Sequence, residues 1–313
     1  MNLIDVTQEF ATEDACLAYL EAMRWPSGLA CIACGSMKVK RLNPKDKRGK
    51  TRRVYQCLER PCLHQFTATT GTIFHDTHLP LRTWFLAMAL ICDAKKGMSA
   101  CQLQRHLPGK RKGKKLSYRT AWYLCHRIRK AMEEKPKAKL TGTVEVDETF
   151  IGGAYNYRRK RTPWDRVPVM GLIERKGKVE ARLISTPSAQ ILVGVVKDRV
   201  SPEADLVVTD QWAGYKGVRR THNHAVINHI KNFARGTVHT NTIENFWSLL
   251  KRGIIGSYHK VSVKHLPRYL AEFTYRFNRR EVQEQLFDET TKNLLRGNNL
   301  SYKALTASPI SGS

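Results

Sequence analysis

Acidic residues are scarce in this sequence, and it has no long apolar run. Its 313 residues include 27 Asp and Glu against 54 Lys and Arg, which gives a formal net charge of +27. An excess this large is more than solubility requires and predicts a polyanionic partner, with nucleic acid as the first candidate. The longest apolar stretch, FLAMALIC at 85–92, is far shorter than the roughly 20 residues of a membrane span. We therefore expect no transmembrane segment.

Features of a secretory signal are also missing from the first residues. The stretch MNLIDVTQEFATED is acidic and polar, where a signal would carry basic residues and then an apolar block. This predicts a cytoplasmic protein.

Four of the eight cysteines fall within residues 31–62, and in a large chain of this kind metal ligation is a better explanation than a disulfide framework.

The sequence pattern predicts a multidomain α+β protein in five segments. Residues 1–24 hold an amphipathic helix at 9–24, and residues 25–72 hold two cysteine pairs around a basic hairpin. Three helical segments follow within 73–136, which favours a helix-turn-helix-like region with Ser99 and Ser117 as N-caps. Strand patterns and then alternating α and β patterns in 137–285 indicate a mixed sheet with packed helices. The aperiodic end of 286–313 predicts a loose tail.

The cysteine spacing predicts a zinc ribbon. Cys31 and Cys34 form a CxxC followed by a glycine, and Cys57 and Cys62 form a second, wider pair beyond the hairpin. Four thiolates from two turns can close a tetrahedron around one structural Zn²⁺. His64 is near enough in sequence to compete as a zinc ligand. The alternative to a zinc site is a redox-active CxxC pair.

Basic residues concentrate around the third predicted helix. Between residues 95 and 115 there are eight Lys or Arg and no acid, a pattern suited to counterion release from DNA phosphates. A solvated run that confers only solubility is the alternative. The apolar spacing of 117–134 turns Arg119, Arg127 and their basic neighbours outward, where such a helix face can enter a major groove. We therefore predict DNA contacts from Arg119, Arg127, Lys112 and Lys114.

Three acids stand at positions suited to metal-dependent phosphodiester chemistry, which uses carboxylates on rigid elements to hold divalent cations. Asp147 lies within a strand pattern, Asp210 ends the strand pattern LVVTD, and Glu244 lies on a helix pattern with Lys251 two turns later. Each has a structural alternative: a strand-edge acid, a turn or N-cap residue, and a surface Glu-Lys face. Alternation along the strand places Asp147 on the same face as Glu145, with Glu148 on the opposite face.

Together the motifs resemble those of a known family. The stretches CIACGS, QFTATTGTIFHDT, TAWYLCHRIRKAM, VEVDETFIGG, VVTDQWAGY, HTNTIENFWSLLKRGIIGSYH and EFTYRFNRR are similar to ISXO-like insertion-sequence transposases with an N-terminal zinc ribbon. The resemblance runs from about residue 15 to residue 285 and implies an RNase H-like catalytic domain of the DDE type. It departs from the family in the wide second cysteine pair and in the PGKRKGKK insertion.

The resemblance implies specific residue roles and partners. Asp147, Asp210 and Glu244 become a triad for two Mg²⁺ ions, with Mn²⁺ as a possible substitute, and Lys251 becomes a contact to the DNA end. The implied activity is binding of terminal inverted repeats in double-stranded DNA, 3′-end cleavage and strand transfer, by a dimer or higher oligomer at the bacterial nucleoid. The alternative is a transposase-derived DNA-binding regulator without catalysis.

Overall fold

The computed structural model describes residues 1–45, 52–109, 115–136, 138–152, 166–227 and 238–307. Its strands are β1 (Val39–Leu42), β2 (Val54–Cys57), β3 (Gln65–Phe66), β4 (Thr143–Ile151), β5 (Val167–Glu174), β6 (Val179–Leu183), β7 (Leu206–Asp210) and β8 (His224–Ile227). Its α-helices are α1 (Leu3–Glu9), α2 (Glu13–Arg24), α3 (Leu81–Asp93), α4 (Ala100–His106), α5 (Tyr118–Ala131), α6 (Ala189–Arg199), α7 (Asn241–Gly253), α8 (Leu266–Phe277), α9 (Leu286–Arg296) and α10 (Tyr302–Thr306). In the part of the chain described, no helix is long and apolar enough to cross a membrane.

The described residues form two compact units. The first contains those of Met1–Asp93, Ala100–Ala131 and 284–307, and the second contains those of Ala94–Ser99 and Met132–Gln283. The predicted segments 1–24, 25–72 and most of 73–136 thus share one compact unit.

The N-terminal helix pattern corresponds to two helices. We predicted one helix at 9–24, but α1 ends at Glu9 and α2 begins at Glu13. Thr12 separates them because its hydroxyl accepts a 3.1 Å hydrogen bond from the backbone N–H of Ala15 and caps α2. A capping hydroxyl of this kind satisfies an N–H that the first turn leaves free.

Helix α5 is more buried than its sequence pattern predicted. His126, Arg127 and Arg129 were expected to face outward, yet they are 0%, 5% and 1% exposed. The expectation of an outward Arg127 is therefore wrong. The physical reason is that α3, α4 and α9 all pack on α5, so more than one face of the helix is covered. The predicted cap is confirmed, since Ser117 Oγ accepts a 3.2 Å hydrogen bond from the N–H of Thr120.

The C-terminal segment contains two helices, α9 and α10, within residues 286–307, which corrects the prediction of a loose tail for this part of the chain. Helix α9 buries Leu286, Phe287 and Leu294 in the first unit, and Leu305 of α10 is fully buried. Ser301 caps α10 by accepting a 3.1 Å hydrogen bond from the N–H of Ala304. Polar residues between these few apolar anchors conceal the helical period, so composition alone indicated a tail.

The second unit is built on a five-stranded mixed sheet in the order β6-β5-β4-β7-β8. Strands β4, β5 and β6 are antiparallel neighbours, whereas β4, β7 and β8 run parallel. The predicted helix near 188–200 and the predicted strand at 205–210 match α6 and β7. The parallel neighbours β4 and β7 need a crossover connection. Helix α6 is part of that connection, because it leads the chain from the edge strand β6 back to β7.

Each face of this sheet is covered by helices. One face packs Val144 and Val146 of β4 against α6 and the 3₁₀ helix Ala213–Arg220. The other packs Val169 and Ile173 of β5 against α7 and α8. Strand β4 therefore lies at the centre of a helix-sheet-helix arrangement, and its alternate side chains face different helices.

Candidate active site and metal centre

The four predicted zinc ligands meet in the first unit. Antiparallel β1 and β2 bring the two cysteine pairs together, and the sulfur atoms of Cys31, Cys34, Cys57 and Cys62 all lie within 4.8 Å of one another. The Cys31–Cys62 and Cys34–Cys57 sulfurs are 3.7 and 3.6 Å apart. Edges of this length suit a tetrahedron with bonds of about 2.3 Å to zinc. His64 is not part of this set and instead stacks on Phe66.

Local backbone geometry prepares the first cysteine pair for metal binding. Gly35 has φ +77°, which lets the chain turn so that its N–H donates to the carbonyl of Cys31. Burial opposes ionisation of the Cys31 thiol, but N–H donation from Ala33 and Cys34 outweighs it and lowers the pKa to about 7. Thiolate is the form that binds zinc, so the cysteines are arranged for a structural Zn²⁺.

Asp147 and Asp210 are brought close together by parallel pairing of β4 and β7. The ladder pairs Thr143 with Leu206 and Glu145 with Val208, and the same register continued for two residues sets Asp147 opposite Asp210. Neighbours in a parallel pair point to the same face. The ladder itself ends at Glu145 and Val208, so these two carboxylates, with 62 residues between them in sequence, follow the paired stretch on neighbouring strands, near enough for the charge of Asp210 to raise the pKa of Asp147.

The surroundings of these carboxylates are strongly negative. The pKa of Asp147 is raised to about 7, first by burial and then by the charges of Glu148 and Asp210. Among the described residues, no Lys, Arg or His forms an ion pair with Asp147 or Asp210. Convergent acids without a cationic side chain are chemically suited to a divalent cation.

Helix α7 is fixed to β4 directly above Asp147. Trp247 Nε1 donates a 3.0 Å hydrogen bond to Asp147 Oδ2. Gly171 of β5, the ladder partner of Asp147, leaves the room that Trp247 and Ile243 fill. The Asp147 carboxylate is thus oriented by an indole N–H from α7.

Glu145 is the most extensively bonded acid of the site, and sequence reasoning assigned it no role. It is fully buried and accepts hydrogen bonds from the backbone N–H groups of Thr242 and Ile243 at 2.9 and 3.1 Å. Arg175 Nε donates at 2.8 Å, and His239 Nδ1 lies 3.3 Å away. A carboxylate here satisfies the free N–H groups at the start of α7 and is favoured by the helix dipole. An acid on the same strand face as Asp147 was the only sequence signal for it.

Glu148 lies on the opposite face of β4, as alternation predicted. Its carboxylate accepts a short hydrogen bond from the hydroxyl of Tyr215, which belongs to the 3₁₀ helix that follows β7. Burial raises the pKa of Glu148, and Asp210 adds to the increase. The hydrogen bond to Tyr215 ties the chain after Asp210 to β4.

Glu244 occupies the first turn of α7, one turn before Trp247. Its side chain is exposed, and its Oε1 accepts a 2.8 Å hydrogen bond from Thr240 Oγ1. Among the described residues, the four cysteines are the only group of three or more His, Cys, Asp or Glu whose ligand atoms all lie within 4.8 Å of one another. The carboxylate oxygens of Asp147, Asp210 and Glu244 therefore do not all lie that close together. Residues three apart share a helix face, so Glu244 lies on the side of α7 from which Trp247 reaches Asp147. Lys251 is exposed in the last turn of α7.

The predicted DNA contacts in the first unit differ in exposure. Arg119 is exposed at the start of α5 and lies over the Tyr302 ring at 4.2 Å. Arg127 is enclosed between the rings of Trp84 and Tyr123, at 4.9 and 5.2 Å from their centroids, so it is not on an accessible surface. Lys112 and Lys114 lie outside the described residues.

Comparison with known proteins gives matches along most of the chain. A family model described as ISXO2-like transposase domain matches residues 139–278, and a model described as transposase zinc-ribbon domain matches residues 11–65. An uncharacterized protein in the transposable element ISH50 of Halobacterium salinarum is 26% identical over 305 residues, covering 91% of this chain and 97% of that protein. An uncharacterized transposase-like protein of Haemophilus influenzae is 28% identical over 123 residues, covering 39% of this chain and 97% of its own length.

These matches fall on the two sites described above. The zinc-ribbon match contains all four clustered cysteines, and the transposase-domain match contains the strands and helix that carry Asp147, Asp210 and Glu244. The chain thus carries a region that matches the transposase zinc-ribbon domain ahead of a region that matches the ISXO2-like transposase domain.

Proposed function

We propose that this chain is a catalytically active DDE transposase that cleaves the 3′ ends of its element and joins them to target DNA. The observation that carries the proposal is the convergence of Asp147 and Asp210 without a cationic side chain among the described residues. A purely structural pair of acids in this position would be expected to have an arginine or lysine partner. The mixed sheet flanked by helices supports an RNase H-like core.

The residues present fit a divalent cation. Asp147 and Asp210 would hold Mg²⁺ through carboxylate oxygens, and Glu244 would complete the set from α7 with its exposed oxygen. Bound in a pair, Mg²⁺ lowers the pKa of water and stabilises the attacking and leaving oxygens of an in-line displacement. Glu244 is favoured over the adjacent Asn241 and Asn245 because a carboxylate neutralises metal charge and an amide does not.

The contribution of the protein to the reaction is mainly positioning. Trp247 orients the Asp147 carboxylate, while Glu145 fixes the start of α7 and with it the height of Glu244 above the sheet. Water attacks the phosphorus at the element end and the bond to the 3′ oxygen breaks, which releases a 3′ hydroxyl. That hydroxyl then attacks a target phosphate and displaces its 3′ oxygen. Rigid placement of both groups lowers the barrier chiefly by removing orientational freedom.

DNA binding would use the basic surface of both units. Lys251 would contact the DNA end beside Glu244, and Arg119, Lys112 and Lys114 would contact terminal inverted repeats. The net charge of +27 supports a strongly salt-dependent association. Because two element ends must be paired before joining, we propose a dimer or higher oligomer on DNA, located at the nucleoid.

The decisive experiment is an end-cleavage assay with the purified full chain. DNA spanning the boundaries of the element is incubated with Mg²⁺, with Mn²⁺ and with no divalent ion. We expect strand cuts at the 3′ ends of terminal inverted repeats with either metal and none without. Binding of the repeats with no cleavage under any condition would instead identify the non-catalytic DNA-binding regulator.

A further inference from the structure

Trp212 is an exposed tryptophan beside the proposed metal ligand Asp210. Its side chain is 51% exposed, although tryptophan ordinarily buries most of its large ring. No described residue pairs with its ring or with its indole N–H. A free indole face two residues from a catalytic carboxylate needs an explanation other than core packing.

The indole is held in place by its own loop. The backbone N–H of Trp212 donates a 3.0 Å hydrogen bond to Asp210 Oδ1, and its carbonyl accepts one of 3.1 Å from Tyr215. The ring lies against Gly214, where an added Cβ would come within 2.8 Å of Nε1 and 2.9 Å of Cδ1. Restricted motion of this kind lowers the entropic cost of stacking on a ligand.

Cationic side chains continue from this position along the same 3₁₀ helix. Lys216 and Arg219 are both exposed and have no carboxylate partner among the described residues. Residues three apart eclipse each other on a 3₁₀ helix, so these two charges form a short row. Trp212 immediately precedes this helix, and an exposed aromatic ring combined with cationic side chains is a pattern that binds single-stranded nucleic acid.

We propose that Trp212, Lys216 and Arg219 form a subsite for an unpaired DNA strand, in which a nucleobase next to the cleaved bond stacks on the Trp212 indole. The proposal rests on the proposed function, because it takes the scissile phosphate to lie at Asp210. Two residues of chain span at most about 7 Å, which is within roughly two nucleotide steps of a stacked strand. Bases in a duplex have both faces covered by their neighbours, so the ligand is an unpaired base.

The first test detects stacking without requiring catalysis. DNA carrying 5-iodouracil at each of the first few unpaired positions flanking the element end is irradiated with the full chain in Mg²⁺-free buffer, and cross-linked peptides are identified by mass spectrometry. We expect a cross-link at position 212 in the unmodified chain and in Trp212→Phe, which keeps an aromatic ring. The cross-link should be lost in Trp212→Leu, which keeps an apolar side chain without a ring. Cross-links only elsewhere, or none, would overturn the proposal.

The second test measures single-turnover cleavage at saturating protein on fully paired ends and on ends with unpaired flanking bases. Because base stacking on an aromatic ring contributes about 1–3 kcal/mol, Trp212→Leu should slow cleavage of paired ends by roughly 10-fold to 100-fold. Unpaired ends should restore most of that rate, and Trp212→Phe should lie between. Ile255→Ala, which changes another exposed apolar residue of the second unit, should match the unmodified chain.

The two tests separate the failure of this inference from the failure of the proposed function. A defect in Trp212→Leu that is equal on paired and unpaired ends, or no defect at all, overturns the stacking role. A cross-link to Trp212 in a chain that cleaves neither DNA retains the subsite and rejects the transposase activity.

Discussion

Gly171 lies directly across from Asp147 in the β4–β5 ladder, and the space that a side chain at Gly171 would occupy is filled by α7. An added Cβ would come within 2.5 Å of Trp247 Cζ2 and 2.8 Å of Ile243 Cδ1. The absence of a side chain at one strand position therefore sets how closely α7 approaches the carboxylate. Through Trp247, the same contact decides the orientation of Asp147.

We expect Gly171→Ala to reduce end cleavage more than it reduces stability. Overpacking of this size typically costs about 1–3 kcal/mol, and the displaced Trp247 would lose its hydrogen bond to Asp147. Cleavage rate and denaturant midpoint are measured on the same preparation. Gly194→Ala on α6 is the matched control, because nothing lies within 4 Å of the added Cβ. Unchanged cleavage in a folded Gly171→Ala protein would show that the height of α7 does not control the site.

Glu145→Gln should destabilise the second unit by about 2–4 kcal/mol, because a buried ion pair with Arg175 loses its charge while the arginine remains. The amide can still accept from one or two of the N–H groups at the start of α7, so the variant should fold. We expect cleavage to fall with it, since Glu244 lies in that first turn. Chemical denaturation and cleavage assays check both effects. Glu203→Gln, at an exposed acid of the same unit, should change neither.

Sequence reasoning located the strand acids but not the role of Glu145. Alternation along β4 assigned Asp147 and Glu148 to opposite faces, and the hydrogen bonds from Trp247 and Tyr215 agree with that assignment. Nothing in the sequence indicates that α7 begins above β4, because that depends on tertiary packing. The buried acid was therefore indistinguishable from a second strand-edge carboxylate.

Helix α5 shows that the apolar spacing of one helix predicts a buried face but not how many further faces are covered. Its apolar spacing predicted one buried face, and the burial of Leu124, Cys125 and Ile128 confirms it. Arg127 and Arg129 were assigned outward because the pattern of a single helix does not indicate how many neighbours pack on it. Arg127 tolerates burial through the faces of two aromatic rings, and cation–π contact of this kind is strengthened by removal from water.

Neutral replacements of the three proposed metal ligands should separate binding from catalysis. Asp147→Asn and Asp210→Asn should abolish end cleavage and joining while leaving binding of the inverted repeats intact, because shape is kept and only the charge is lost. Glu244→Gln should have the same effect. Gel shifts at fixed salt and cleavage assays give the two readouts. Full activity of either aspartate variant would refute the metal site proposed for Asp147 and Asp210.

Stability in Mg²⁺-free buffer should depend on pH through Asp147. The folded state raises the pKa of this acid from its ordinary value of 3.8 to about 7, so the folded chain binds the proton more tightly than the unfolded chain does. As pH rises between these two values, stability should fall, with a slope of at most about 1.4 kcal/mol per pH unit. Above pH 8 the contribution should be constant.

The comparison that isolates this effect is with Asp147→Asn. We expect the unfolding free energy of the unmodified chain to decline relative to the variant between pH 5 and pH 7. Asp205→Asn, at an exposed acid of the same unit, corrects for general charge effects. Parallel pH curves for the unmodified chain and Asp147→Asn would show that the carboxyl is not protonated near neutral pH.

The cysteine cluster should hold about one tightly bound Zn²⁺ per chain, and Cys31→Ser should lose it. Binding free energy at a structural zinc site is folding free energy, on the order of 10 kcal/mol, so loss of zinc should expose the residues around β1 and β2 to proteolysis. Metal content is measured by mass spectrometry and cleavage sites by limited digestion. Cys101→Ser is the matched control, because Cys101 is an exposed thiol outside the cluster. A purified chain with no zinc and with disulfides among the four cysteines would identify a redox site instead.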